Sequence, residues 1–208
     1  MDDLVVMALY RHGVTVDNER KAFCGWTNSI LSERGRKELH ARTPYVPAYE
    51  KIVASDLQRC VDTAKILFPG KVVEIRQEFR EMNFGIWEGK VHDEIKHIQE
   101  YKDWLQMPLS APIPQGETFP EFNDRIMKAW EKLIEEISHL QMKRNAIVTH
   151  GGVIRSLLTQ FAPVKREFWE WKVENGQGFE LTGSLSALRR GERCISLREV
   201  PLTAKENG

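Results

Sequence analysis

Apolar positions along the chain follow two alternating rhythms. Short unbroken apolar runs occur at LVVMALY (4–10), KIVAS (51–55), VVEI (72–75) and NAIVTH (145–150). Runs this short, bounded by polar or turn residues, predict strands buried on both faces. Between them the apolar spacing changes to three and four residues. Ser32 is the expected N-cap of a helix through SERGRKELHAR, and LQRCVDTAKILF reads as a second helix closed by Pro69-Gly70. Thr118 and Glu121 form a capping box with Pro120 in the tolerated first turn. From there Phe119, Phe122, Ile126, Trp130, Leu133, Ile137 and Leu140 make one apolar stripe, the mark of core packing. GGVIRSLLTQF starts a further helix straight from the end of NAIVTH, and GFELT and RCISLREV are two more strand candidates before a polar, fraying end at TAKENG. Strands alternating with helices predict an α/β fold, a three-layer sandwich with a mostly parallel central sheet and helices on both faces. Its 208 residues suit a single domain over residues 1–208.

One stretch breaks the rhythm. Residues 82–117 are rich in Trp, Pro and Gly and weakly periodic apart from a helical piece near VHDEIKHIQEY, as expected of a lid-like insertion. Charge then narrows the function classes. Thirty Lys plus Arg balance thirty Asp plus Glu, which argues against a nucleic-acid groove. No apolar run has the length of a membrane span, and the acidic start MDDLVV does not resemble a signal peptide. Cys24, Cys60 and Cys194 are odd in number and widely spaced, so they read as free thiols of a cytoplasmic protein.

The chemistry lies at the strand ends. The first strand runs into Arg11-His12-Gly13, the second into Ser55-Asp56 with Arg59 just beyond, and NAIVT into His150-Gly151-Gly152. In a parallel sheet those ends lie along one edge, where ligands bind. Two imidazoles, two guanidiniums and glycine-opened helix starts suit a dianion such as a phosphate ester. Each piece alone reads as an ordinary loop; their joint placement is what an ordinary loop does not explain.

LYRHGVTVDN, SDLQRCVDTA, REMNFGIWEG and VTHGG resemble the signature segments of the histidine phosphatase superfamily, the phosphoglycerate-mutase-like fold, in order over nearly the whole chain. The weaker segments GWTNSILSERGRKEL and PIPQGETFPEFNDR extend the likeness. The resemblance implies that His12 is a nucleophile phosphorylated on a ring nitrogen. It implies that Arg11, Arg59 and His150 hold the phosphoryl oxygens, and that Glu81 is the general acid and then the base; two arginines and a protonated His150 would neutralise the developing charge without a metal. Asn18 and the Gly151 N–H are implied phosphate contacts. No metal and no cofactor is implied. Val14 and Asn28 depart from the family pattern, which often has Glu or Gln after RHG and Asp in the GWTN segment.

Within the superfamily, the mutases carry Glu-Arg-His-Tyr-Gly where this chain has Glu81-Met82-Asn83-Phe84-Gly85. The segment looks more like the small phosphatases, of the alpha-ribazole phosphatase and broad-specificity kinds. Cys24, Gly25, Trp26, Phe84 and Trp87 are the expected substrate pocket, with Trp104 nearby, for an apolar or ring-bearing leaving group. The expected partner is a small phosphate ester, with the chain acting as monomer or homodimer. A mutase-type phosphoryl transferase and a non-catalytic phosphate-binding module remain alternatives. The P-loop pattern, a Cys followed at the sixth position by Arg, and H-E-x-x-H are all absent. His92-Asp93, like His40, His97 and His139, reads as part of a solvated helix face.

Overall fold

The computed structural model describes residues 3–201; the TAKENG end lies outside them. Six strands form one sheet: β1 (Leu4–Arg11), β2 (Lys51–Ala54), β3 (Glu74–Ile75), β4 (Arg144–Thr149), β5 (Gly178–Ser184) and β6 (Ser196–Val200). Their spatial order is β3-β2-β4-β1-β5-β6. The β3-β2, β2-β4 and β4-β1 pairs are parallel, while β5 runs antiparallel to both β1 and β6. The fold is therefore α/β with a mixed, mostly parallel sheet.

Alternation along the strands divides the core in two. Val5, Met7 and Leu9 of β1 and Ile147 of β4 face α6 (Phe119–His139) and α7 (Gly151–Phe161), where Ile126, Trp130, Leu133, Ile154 and Leu157 are buried. Ala8, Tyr10, Ile52, Ala54 and Val148 point to the other face. There α2 (Glu33–Arg42) and α3 (Gln58–Leu67) supply Leu39, Cys60, Ala64 and Leu67. Central strands covered on both sides need apolar residues at nearly every position, which is why they appear as continuous runs.

Several boundaries differ from the sequence expectation. VVEI yields only the two-residue β3, at the sheet edge, and Val72 is 91% exposed before it. Leu140 is exposed, because α6 ends at His139 and leaves it as the cap. The 82–117 stretch contains α4 (His92–Ile95) and α5 (Gln99–Gln106). Its Trp87, Ile95, Tyr101, Trp104 and Ile113 are buried in the same core as α6 and α7. Two short helices were not foreseen: α1 (Val16–Arg20) and α8 (Leu185–Arg189), each opened by a hydroxyl cap from Thr15 or Ser184.

Candidate active site

Parallel pairing of β1 and β2 on either side of β4 brings three carboxyl-terminal strand ends together. The His12 N–H donates to Thr149 O at 2.9 Å, and the Ser55 N–H to Val148 O at 3.0 Å, so the three loops leave the sheet in register. The rings of His12 and His150 consequently lie edge to face, 5.2 Å between centroids.

Both imidazoles have defined proton positions. His12 Nδ1 is 2.7 Å from Gly13 O. A carbonyl oxygen only accepts, so Nδ1 carries the proton and Nε2 keeps its lone pair. The Gly13 N–H in turn donates to Thr63 Oγ1 at 3.0 Å. In His150 the roles reverse: Nδ1 accepts from Arg59 Nε at 3.3 Å, and Nε2 is 2.9 Å from Ser55 Oγ. Burial, followed by the nearby Arg59 guanidinium, pushes both histidines well below the usual imidazole range. With Nδ1 accepting from Arg59 and the ring buried among cations, His150 is neutral in the ligand-free site.

The two arginines are held differently. Arg59 is fully buried and donates to Thr27 O at 2.7 Å and Gly25 O at 2.5 Å besides His150. Arg11 donates through Nη1 to Val173 O at 2.7 Å, while its buried Nε has no partner among the described residues. A Cβ added to Gly151 would sit 3.5 Å from that Nε, which places the orphaned donor against the start of α7. An unpaired buried N–H is costly, and an anion bound there would satisfy it. Burial lowers the Arg11 pKa.

Glu81 closes the site from the other side. Its Oε2 accepts from the Gly152 N–H at 2.9 Å and its Oε1 from the Met82 N–H at 3.0 Å. Gly152 leaves room for this carboxylate, because a Cβ would lie 2.2 Å from Glu81 Oε1. Gly152→Ala is therefore expected to displace the Glu81 carboxylate while leaving the fold intact, since the clash is with the end of a flexible side chain. Turnover of an alkyl phosphate should fall about a hundredfold, as for an ångström-scale misplacement of a reacting group. Steady-state kinetics beside a melting curve of the variant would check this.

Other expected site residues are placed less directly. The Asn18 carboxamide oxygen accepts from the Thr15 N–H at 3.1 Å within the α1 capping box, and from Asn175 Nδ2 at 3.3 Å. Asn175 also donates to His12 O at 3.0 Å, so Asn18 is tied to the His12 loop through a residue the sequence did not flag. Of Cys24, Gly25, Trp26, Phe84 and Trp87, Phe84 alone lines the cavity beside Glu81. Cys24 and Gly25 contribute carbonyls to Arg59. Trp26 lies under Arg80 and donates from Nε1 to Glu81 O at 2.8 Å. Trp87 is a correction: it is fully buried against Phe23, Tyr101 and Trp104 and cannot meet a ligand. Trp104 lies on α5 rather than in a loop, and it lines the cavity.

Three further supporting residues carry no sequence signal. The Glu88 carboxylate accepts from the N–H groups of Gly25, Trp26, Thr27 and Phe84, fastening the 24–27 loop to the Glu81 segment. Arg125 pairs with Glu117 and donates to the carbonyls of Glu78, Arg80 and Glu81. Arg155, one turn into α7, donates to Trp171 O and lines the cavity beside Glu81. The departure at Asn28 has a structural use: its Oδ1 accepts from the Gln58 N–H at 2.8 Å, at the start of α3. Val14 is buried with the core. Cys24, Cys60 and Cys194 are free thiols; burial drives Cys60 far above the usual thiol range, so it is inert. Among the described residues no helix is long and apolar enough to cross a membrane, and no three His, Cys, Asp or Glu side chains form a metal-ligating group.

Two imidazoles at adjoining parallel strand ends, with Arg11, Arg59 and the Glu81 carboxylate around them, form one polar cluster on an α/β fold. The chain belongs to the histidine phosphatase superfamily, branch 1, which it matches over residues 7–190. It is 29% identical over 177 residues to the adenosylcobalamin/alpha-ribazole phosphatase of Salmonella typhimurium, covering 81% of this chain and 85% of that protein. It is 28% identical over 182 residues to a 2,3-bisphosphoglycerate-dependent phosphoglycerate mutase of Gloeobacter violaceus, covering 82% and 81%. The alpha-ribazole phosphatase structure from Shigella flexneri superimposes with a TM-score of 0.76 at 25% identity, over 85% of this chain and 90% of that one.

Proposed function

We propose that this chain is a metal-independent phosphomonoesterase that hydrolyses a small phosphate ester through a phosphohistidine on His12, similar to the alpha-ribazole phosphatases. The observation that carries the reading is the His12 ring itself. It is neutral, with its proton fixed on Nδ1 by Gly13 O and its Nε2 lone pair free, the state a nitrogen nucleophile needs.

In the first step His12 Nε2 attacks phosphorus and the P–O bond to the alcohol breaks. Glu81, in its acid form, gives its proton to the leaving oxygen. In the second, the Glu81 carboxylate takes a proton from water, the water oxygen attacks phosphorus, and the P–N bond breaks to release inorganic phosphate. Arg11, Arg59 and the Gly151 N–H hold the non-bridging oxygens, where charge develops, and His150 joins them by turning its Nε2–H from Ser55 Oγ to the anion. Asn18 acts beside them through Asn175. The domain is single, with the 82–117 stretch as one wall of the site.

The mutase reading finds less support. A mutase must hold a second anionic group through two half-reactions. Met82 and Phe84, on the Glu81 segment, are apolar and line the adjoining cavity. Hydrolysis of p-nitrophenyl phosphate in excess chelator tests the proposal: sustained release of inorganic phosphate is expected. Loss of activity on chelation, restored by a divalent cation, would overturn it.

A further inference from the structure

The segment from Val173 to Gln177, which leads into β5, is bonded to the end of β1 at several points. The Arg11 N–H donates to Gln177 O at 2.8 Å and Arg11 Nη1 to Val173 O at 2.7 Å. In return the Gly176 N–H reaches Arg11 O at 3.0 Å and His12 O at 3.1 Å. The turn that allows this approach is an Asn-Gly pair, with Gly176 at φ +71°. Arg42, at the end of α2, fastens it by donating to Asn175 O at 3.2 Å.

Within this turn every hydrogen-bond role of the Asn175 side chain is fixed. His12 O and Gly13 O are carbonyls and only accept, so the group lying 3.0 and 3.5 Å from them is Nδ2. The same Nδ2 is 3.3 Å from Asn18 Oδ1. That oxygen is identified independently, because it accepts from the Thr15 N–H at 3.1 Å and a backbone N–H only donates. The Asn18 amide is thus held at its oxygen by two donors, one from its own helix cap and one from the 173–177 turn. Its Nδ2 has no acceptor among the described residues.

We infer that Asn175 is a positioning residue for phosphoryl capture: by tying Asn18 Oδ1 to the His12 carbonyl it presents Asn18 Nδ2 as a donor to the anion beside the nucleophile. The role rests on the proposed phosphatase chemistry for the place of the phosphate. An unrestrained carboxamide can offer a ligand either its N–H or its oxygen. An N–H donated to an anion makes one of the stronger hydrogen bonds, whereas a carbonyl oxygen facing a dianion is repelled. Asn175 selects the first of these. A carboxylate at position 175 would keep the shape but set an oxygen against both His12 O and Asn18 Oδ1. Relieving that contact turns the Asn18 oxygen toward the phosphate.

The test is a double-mutant cycle read in the binding of inorganic phosphate by calorimetry, which needs no turnover. Asn18→Ala should weaken binding at least about tenfold, as expected for loss of a hydrogen bond to a charged group. Asn175→Asp should weaken it by a factor at least about tenfold larger in the wild type than in the Asn18→Ala background. Repulsion between the new carboxylate and phosphate is present in both backgrounds and cancels in that ratio. Asn175→Leu, similar in size but uncharged and without donors, should show the same inequality at roughly threefold or more, and it carries the test if the aspartate variant does not fold. A merely structural Asn175 would lower the melting temperature of its variants and leave the ratio at one. Factors equal within about twofold in the two backgrounds, or phosphate binding unchanged in Asn18→Ala, overturn the positioning role. An unequal factor in a protein that hydrolyses no ester would leave the role standing and overturn the phosphatase reading instead.

Discussion

Replacing His12 by alanine is expected to abolish phosphate release, lowering kcat by at least about a thousandfold on every ester the wild type hydrolyses. The size of the effect follows from the absence of a substitute. His150 is the other imidazole in the site. Its Nδ1 accepts from Arg59 and its Nε2 is occupied with Ser55, so neither nitrogen is free to attack. His12 is almost fully buried, but its side chain makes one hydrogen bond, to the neighbouring Gly13 carbonyl. Alanine leaves the Thr149 and Thr63 backbone contacts of the loop in place, so the variant should fold and still bind inorganic phosphate through Arg11 and Arg59. Steady-state kinetics with a phosphate titration separates the two properties. An active variant would mean that the nucleophile lies elsewhere.

Glu81→Gln is expected to have the next largest effect, and its signature is an inequality. Glutamine keeps the shape but cannot give or take the proton, a role worth about a hundredfold to ten-thousandfold. An alkyl alcohol is a poor leaving group and depends on that proton; p-nitrophenolate departs without it. The loss should therefore be in the upper part of that range for ethyl phosphate and much smaller for p-nitrophenyl phosphate in the phosphorylation step. The pH–rate profile should also lose the limb that reports the acid. Equal losses on both esters, with an unchanged profile, would make Glu81 a positioning residue that holds the start of α7 through Gly152.

The legibility of this fold from sequence tracks how local the determining physics is. The central strands were readable because β1, β2 and β4 are covered on both faces and must be apolar throughout. The longest helix announced itself through Thr118 and Glu121, whose side chains bond each other's backbone as the capping box requires. Edges were not readable: β3 is set by pairing with β2 rather than by the apolar run preceding it, in which Val72 is exposed and Val73 packs on the core. The helix α1 carried a signal that went unused. Thr15 and Asn18 cap it reciprocally, and the same Asn18 is an implied phosphate contact.

The same distinction holds at the site. Arg11, His12, His150 and Gly151 were legible because strand ends in a parallel sheet must meet along one edge. Glu88, Arg125 and Asn175 were not, because each acts on partners far away in the chain: Glu88 on Trp26, Arg125 on Glu78, Asn175 on His12. Aromatic residues misled in the opposite direction. A tryptophan in a Gly-rich segment looks like a pocket wall, yet Trp87 is core, while Phe168 and Trp169, in a segment that gave no signal, wall the cavity.

The measurement that bears most directly on the central claim is trapping of the phosphoenzyme. Wild-type protein mixed with a radiolabelled phosphate ester and quenched in alkali within a turnover should carry label that is stable to base and lost in acid, the behaviour of a phosphorylated imidazole. Peptide mapping should place it on the segment containing His12, with none on His12→Ala. Label on another residue, or turnover with no labelled protein at any quench time for any ester, would contradict the account.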